Sequence, residues 1–152
     1  MAAVPELFGP EWAEEVRAAV DRGPGVDARA GKLDSYWDWI ARARESYSSS
    51  WALGVRDLAG RGPHYLRLGW KDGVCAEAAV VGPDDPLDAT YVLAADLATW
   101  SALLEGEDPG RIVMYRRLRL EEGEVVRFFR AIYFFVESVA VIGRVPARVP
   151  SI

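Results

Sequence analysis

Few side chains in this chain could do covalent or acid–base chemistry, and their spacing supports none of the usual arrangements. His64 is the single histidine and sits behind Pro63 at a strand entrance, with no neighbouring serine, cysteine or carboxylate to complete a triad, so it is read as a surface residue. Cys75 is the single cysteine; it alternates with Glu77 along a strand-like run, the setting of a buried inert thiol rather than a nucleophile. With one histidine and one cysteine, no metal centre with paired ligands can be built. Glycine patterns of the P-loop or dinucleotide kind are absent, so no nucleotide cofactor is implied. Asp84-Asp85 and Glu121-Glu122-Gly123-Glu124 gather carboxylates, yet adjacency in sequence does not make a glycosidase pair, and solvated turns account for both. The chain reads as non-catalytic, without cofactor or metal, and its function must lie in what it binds.

The stretch DPGRIVMYRRLRLEEG, from Asp108 to Gly123, is the most informative one. Asp108 can accept from the orphan backbone N–H groups of a following turn, and Pro109 lacks only an N–H that would be unpaired there, so a helix begins at 108 or 109. Ile112, Val113 and Met114 give that helix an apolar side. Arg117 to Glu121 then alternates with the period of a half-buried strand that turns Leu118 and Leu120 inward, and Gly123 ends it. Glu124 opens the run EVVRFFRAIYFFVESVAVIG, a long apolar helix that leaves only Arg127, Arg130, Glu137 and a few small residues for a wet side. Its apolar part, Phe128 to Ile142, is shorter than the ~20 residues a bilayer requires and carries Arg130 and Glu137, which predicts a buried or partner-facing helix and no transmembrane segment.

These segments need a frame to hold them. Leu7 to about Arg22, with Pro10 near its first turn, places Trp12, Val16, Ala19 and Val20 on one side of an amphipathic helix that Gly23-Pro24-Gly25 ends. Asp27 to Ser46 is helical in pattern, with Leu33, Tyr36, Trp37, Ile40 and Ala41 on one face; Gly31 and Asp34-Ser35 weaken it and divide it. Three strands follow in a meander: Trp51, Leu53 and Val55 alternate in the first, Leu66, Leu68 and Trp70 in the second, and Val74 to Val81 form the third. Asp72-Gly73 supplies the positive φ angles of a tight hairpin between the last two. In the third strand, strict alternation sets Val74, Ala76, Ala78 and Val80 against Cys75, Glu77, Ala79 and Val81. A fourth strand, Ala89 to Ala94, leads to Asp96, which can cap a helix through Leu104 with Leu97, Trp100, Leu103 and Leu104 on one side. The tail from Arg144 to Ile152 is irregular, with Pro146 and Pro150 in it.

The chain has 152 residues, of which 51% are hydrophobic and 11% aromatic, enough for one domain with a real core that folds alone or as a small oligomer. A formal charge of -5 and a pI near 5.0 oppose the counterion release that drives nucleic-acid binding, and the local basic patch at Arg116, Arg117 and Arg119 reads as a solvated edge. No basic start with an apolar stretch opens the sequence, and one cysteine allows no intrachain disulfide; the expected setting is cytoplasmic. Of 18 basic residues two are lysine, a bias that with abundant alanine points to a GC-rich bacterial genome.

From Asp88-Ala89-Thr90-Tyr91-Val92-Leu93, through Asp96 with Trp100 and Leu104, to Asp108-Pro109, Met114, Arg117 to Glu121 and the apolar last helix, the chain resembles the sterol carrier protein type-two (SCP2-like) family of small lipid-binding domains. The resemblance covers about residues 50 to 142. It departs from the family pattern at Arg116 and Glu122, where glycine is usual. It implies an α+β fold, a mostly antiparallel five-stranded sheet with helices packed on one face, in a single domain over 1–143 with an aromatic insertion at 24–50 and a tail at 144–152. It further implies an apolar tunnel between sheet and helices that holds a fatty acyl chain, a sterol-like molecule or another lipid. Carried over by position, the lining would be Leu97, Trp100, Leu104, Ile112, Val113 and Met114 on the two short helices and Phe128, Phe129, Ile132 and Phe135 on the last. The alternative is an interaction or homodimerisation domain of the same fold, its tunnel filled by its own aromatics. For the segment Tyr36 to Trp51, a lid, a dimer surface and plain core all stay open.

Overall fold

The computed structural model describes residues 4–114 and 117–150, with the side chains of Ala28 and Met114 outside that description. Tyr115 and Arg116, and with Arg116 one member of the expected basic patch, therefore lie outside it. Three helices come first: α1 (Pro10–Arg22), α2 (Val26–Arg29) and α3 (Asp34–Glu45). Strands β1 (Ser49–Val55), β2 (His64–Lys71), β3 (Val74–Val81) and β4 (Tyr91–Ala95) follow, then α4 (Leu97–Leu104), α5 (Pro109–Met114), β5 (Arg119–Glu122), α6 (Val125–Phe129) and α7 (Ile132–Arg144).

The five strands form one sheet in the order β3-β2-β1-β4-β5. Three neighbouring pairs are antiparallel and one, β1 with β4, is parallel. The hairpin of β2 and β3 turns on Asp72 and Gly73, at φ 50° and 80°, as the Asp-Gly pair requires. Trp51, Leu53 and Val55 of β1, Leu66 and Leu68 of β2 and Leu93 of β4 are buried on the sheet's helix-bearing face. The opposite face is covered by the sheet's own long side chains. A Cβ at Gly54 would meet the Tyr65 ring at 2.4 Å, and one at Gly69 would meet Glu77 Cγ at 2.6 Å, so these glycines make room for that cover. Arg67 donates to Glu77 Oε1 at 2.9 Å and to the carbonyl of Asp88 at 2.8 Å, fastening the layer.

Strict alternation fails at one place in β3. Gly69 pairs with Glu77 and Trp70 with Cys75, so Ala76 is an extra residue with no partner opposite. This bulge moves Cys75 off the face of Glu77 and into the core, where it is fully buried. Sequence periodicity carries no mark of the insertion.

The helices meet the sheet through rings. Trp51 lies 5.1 Å from Phe135 and 5.7 Å from Phe134, and Trp70 lies 4.9 Å from Phe134, all tilted or edge-on. Such pairs each add about 0.5–1.5 kcal/mol beyond the area they bury. At the other end Phe8 packs on Trp12 and Trp100 at 5.0 and 5.1 Å, and Trp100 Nε1 donates to the Gly54 carbonyl at 2.9 Å. Asp96 caps α4 by accepting from Thr99 N at 2.8 Å.

Two expectations about the helices are corrected. The run from Glu124 is not one helix: Ala131, at φ -114° and ψ 26°, separates α6 from α7. In an unbroken helix Phe128 and Phe135 would stand roughly 10.5 Å apart along the axis; here their rings are 4.9 Å apart, because the break lets α6 turn back over the sheet edge. On α3, Trp37 is the buried residue while Leu33 and Ala41 are exposed, since the helix touches the body near the start of α7 instead of lying flat on the core.

Arg44, at the end of α3, ties three parts together, donating to the carbonyls of Gly73 and Asp21 at 2.6 Å each and stacking over Trp70. Gly73 sits so close that a Cβ would meet the Arg44 carbonyl oxygen at 2.5 Å, whereas Gly60, at a similar φ of 84°, has nothing within 4 Å. Gly60→Ala should therefore cost about 1 kcal/mol, the strain of a left-handed alanine alone, and Gly73→Ala about 3 kcal/mol. Urea unfolding of the two variants measures the difference; equal losses would contradict the close approach.

Candidate functional site

The expected helix over 109–114 is present, and the Asp108 carboxylate accepts from Gly110 N at 2.9 Å at its start. Beyond it the chain returns as β5, which joins the sheet edge by pairing Leu120 with Leu93 and Arg119 with Ala94. Gly123, at φ 121°, ends the strand, and α6 follows with Phe128 buried against Tyr91 and Phe135 and with Val125, Val126 and Phe129 exposed. Because α5, β5 and α6 bend around the start of α7 without closing on it, they enclose a cleft of about 1010 Å³.

Val113 of α5, Leu118 and Leu120 on the β5 side, and Ile132 and Val136 of α7 form its apolar walls, with Phe128 and Phe129 of α6 along it. One wall is polar. Lys32, from the turn between α2 and α3, donates to Glu137 Oε1 at 2.7 Å and to the Tyr36 hydroxyl at 3.4 Å, and all three residues line the cleft. Glu137 is 8% exposed, on the inward side of α7. It does not belong to a wet side, contrary to the sequence expectation, because Lys32 reaches in to neutralise it. Burial lowers the Lys32 pKa, but the hydrogen bond and charge of Glu137 outweigh it and leave the ammonium held above its ordinary value. Burial, seconded by the charge of Glu137, raises the Tyr36 phenol, which stays neutral and able to donate.

A smaller hollow of about 260 Å³ adjoins the cleft and shares Tyr36, Phe129 and Tyr133 with it. Trp39, 64% exposed, lines the hollow 6.0 Å from the Tyr133 ring, so the segment after α2 forms an aromatic rim here.

Of the residues expected to line a binding space, Val113, Phe128, Phe129 and Ile132 come together around the cleft. Trp100, Ile112 and Phe135 lie in the packed core, and Leu97 and Leu104 pack half-buried against it; none of the five lines the cleft. Met114 ends α5, but its side chain lies outside the described residues. Sequence reasoning missed Lys32, Tyr36, Leu118, Leu120, Val136 and Glu137. For Glu137 a signal existed: a lone carboxylate within FFVESVAV cannot be buried without a partner.

Among the described residues no group of His, Cys, Asp or Glu could hold a metal ion, and no helix is long and apolar enough to cross a membrane. His64 is half-buried, its Nδ1 3.0 Å from the Gly62 carbonyl. Burial pushes the Cys75 thiol up to about 12, so it is protonated at neutral pH. Cys75 should accordingly resist a thiol-specific disulfide reagent in the folded protein and react only in denaturant; rapid labelling of native protein would contradict its placement. Lys32→Met, which leaves the Glu137 carboxylate without its ammonium, should lower stability by about 1–3 kcal/mol in urea unfolding, less than for a fully buried pair because Lys32 is half exposed.

No family model and no curated protein sequence matches the chain. Among solved structures, a crystal structure of sterol carrier protein 2 superposes with a TM-score of 0.69 at 26% identity, over 92% of this chain and 99% of that one. The solution structure of a conserved hypothetical protein from Thermus thermophilus, described as possibly a sterol carrier protein, superposes with a TM-score of 0.68 at 24% identity, over 99% and 96%. By its mixed five-stranded sheet, its helical layer and these two likenesses, the chain has a sterol carrier protein 2-like fold.

Proposed function

We propose that this protein binds the apolar part of a lipid, a fatty acyl chain, a sterol-like molecule or another greasy ligand, in the cleft between α5, β5, α6 and the start of α7, without catalysis. The observation that carries the reading is the cleft itself: about 1010 Å³ walled by Val113, Leu118, Leu120, Ile132 and Val136, in a fold shared with a protein named as a sterol carrier. Its size suits an elongated ligand. A chain laid against those walls gains ~0.8 kcal/mol for each methylene taken out of water. The candidate site residues on this reading are Val113, Phe128, Phe129 and Ile132, joined by Lys32, Tyr36 and Glu137 at the polar wall.

A second reading has its own support. The space directly between the sheet and the first turn of α7 is filled by Trp51, Trp70, Phe134 and Phe135, and Trp39, Phe129 and Tyr133 remain exposed around the hollow. Those exposed rings could serve a protein partner or a second copy of the chain.

Denaturing extraction of the purified protein followed by mass spectrometry should reveal a co-purified lipid. Val113→Phe, which puts a ring into the cleft, should weaken binding of an added lipid roughly tenfold in titration calorimetry, a loss of ~1.4 kcal/mol. Trp100→Phe, a change in the core, should leave that affinity unaltered. Absence of any lipid, no binding of added lipid, and a dimer in light scattering that Trp39→Glu dissociates would favour the second reading instead.

A further inference from the structure

We propose that Glu137 selects the polar end of the ligand, admitting lipids that end in a neutral hydroxyl and rejecting those that end in a carboxylate; this rests on the cleft being the lipid site. A lipid drawn into an apolar cleft must leave its head in water or satisfy it on the wall. Of the charged groups on the wall, Arg119 is exposed and Asp108 already caps its helix by accepting from Gly110 N at 2.9 Å. Among the described residues Glu137 alone is a buried carboxylate, and it stands with Lys32 and Tyr36 at one place.

The chemistry of that place is asymmetric. A carboxylate offers about four lone-pair positions, and an ammonium three donors. Among the described residues, Lys32 directs donors to Glu137 and to Tyr36, and the Tyr36 hydroxyl faces Glu137 as its own acceptor, so the cluster can accept one more donor at Glu137 and supply one more from Lys32. A hydroxyl head is donor and acceptor together and satisfies both without disturbing the ion pair. A carboxylate head brings acceptors only. It can be held only by sharing Lys32 with Glu137, which places two anions within a few ångströms of each other where water is scarce. A cationic head would meet Lys32 in the same way.

The test is a matched pair of ligands, 1-dodecanol and dodecanoate, titrated calorimetrically into the native protein at neutral pH below the micelle concentration. The alcohol should bind roughly tenfold tighter than the acid. Glu137→Gln removes the anion and keeps the shape; it should tighten dodecanoate relative to dodecanol until the two ligands lie within about threefold. Dodecanoate binding as tightly as dodecanol to the native protein would overturn the proposal, since its head would then sit elsewhere, for instance on Arg119. An unchanged ratio in the Glu137→Gln variant would overturn it equally. If that variant does not fold, Lys32→Gln replaces it: loss of the cation should widen the preference for the alcohol, and a narrowed preference would overturn the assignment. Failure of both ligands to bind the native protein would instead overturn the lipid-site reading on which this one rests.

Discussion

The contact between α7 and the sheet is the constraint on which the rest of the molecule depends. Phe134 and Phe135, adjacent on α7, insert among Trp51 and Trp70 from two neighbouring strands, and Val139 and Ile142 continue the same buried side one and two turns further on. Rings of this size, locked edge to face, leave little freedom in the angle at which the helix crosses. α1, α3, α4 and α5 all rest on α7, and α1 packs on β3 as well.

The same packing decides where open space can exist. Rings fill the layer between the sheet and the first turn of α7. The cleft opens on the side of that turn that faces α5, β5 and α6, where the chain breaks at Ala131 and β5 is four residues long. Its walls include Val113, Leu118, Leu120, Ile132 and Val136, and Glu137, the one buried charge among the described residues, is matched by a lysine from a different part of the chain. An ion pair in such a place contributes little net stability compared with a well-packed apolar pair of similar volume.

Much of the architecture could be read from the residues. Asp-Gly at 72–73, the caps Asp96 and Asp108 with their following residues, and the two-residue periodicity of β1 and β2 each specify local geometry by short-range physics, and each element is found where that physics puts it. The failures share a cause. The bulge at Ala76 and the break at Ala131 carry no glycine or proline, because tertiary packing imposes them. The site was legible in part for the same reason. Val113 and Ile132 could be placed on an apolar side by periodicity, but an apolar side does not reveal whether it meets rings or empty space. Trp100 and Phe135 met rings. Lys32 was beyond reach, since its pairing with Glu137 spans 105 residues and only the fold brings them together.

The central claim, that the cleft between α5, β5, α6 and the start of α7 is a lipid site while the ring-filled space between α7 and the sheet is not, can be tested by methyl-resolved NMR with added dodecanol. Saturable shifts confined to the methyl groups of Val113, Leu120, Ile132 and Val136, with Leu53, Leu68 and Ile142 unmoved, are the expected result. Shifts centred on the α4 and sheet core, or none at saturating alcohol, would contradict it.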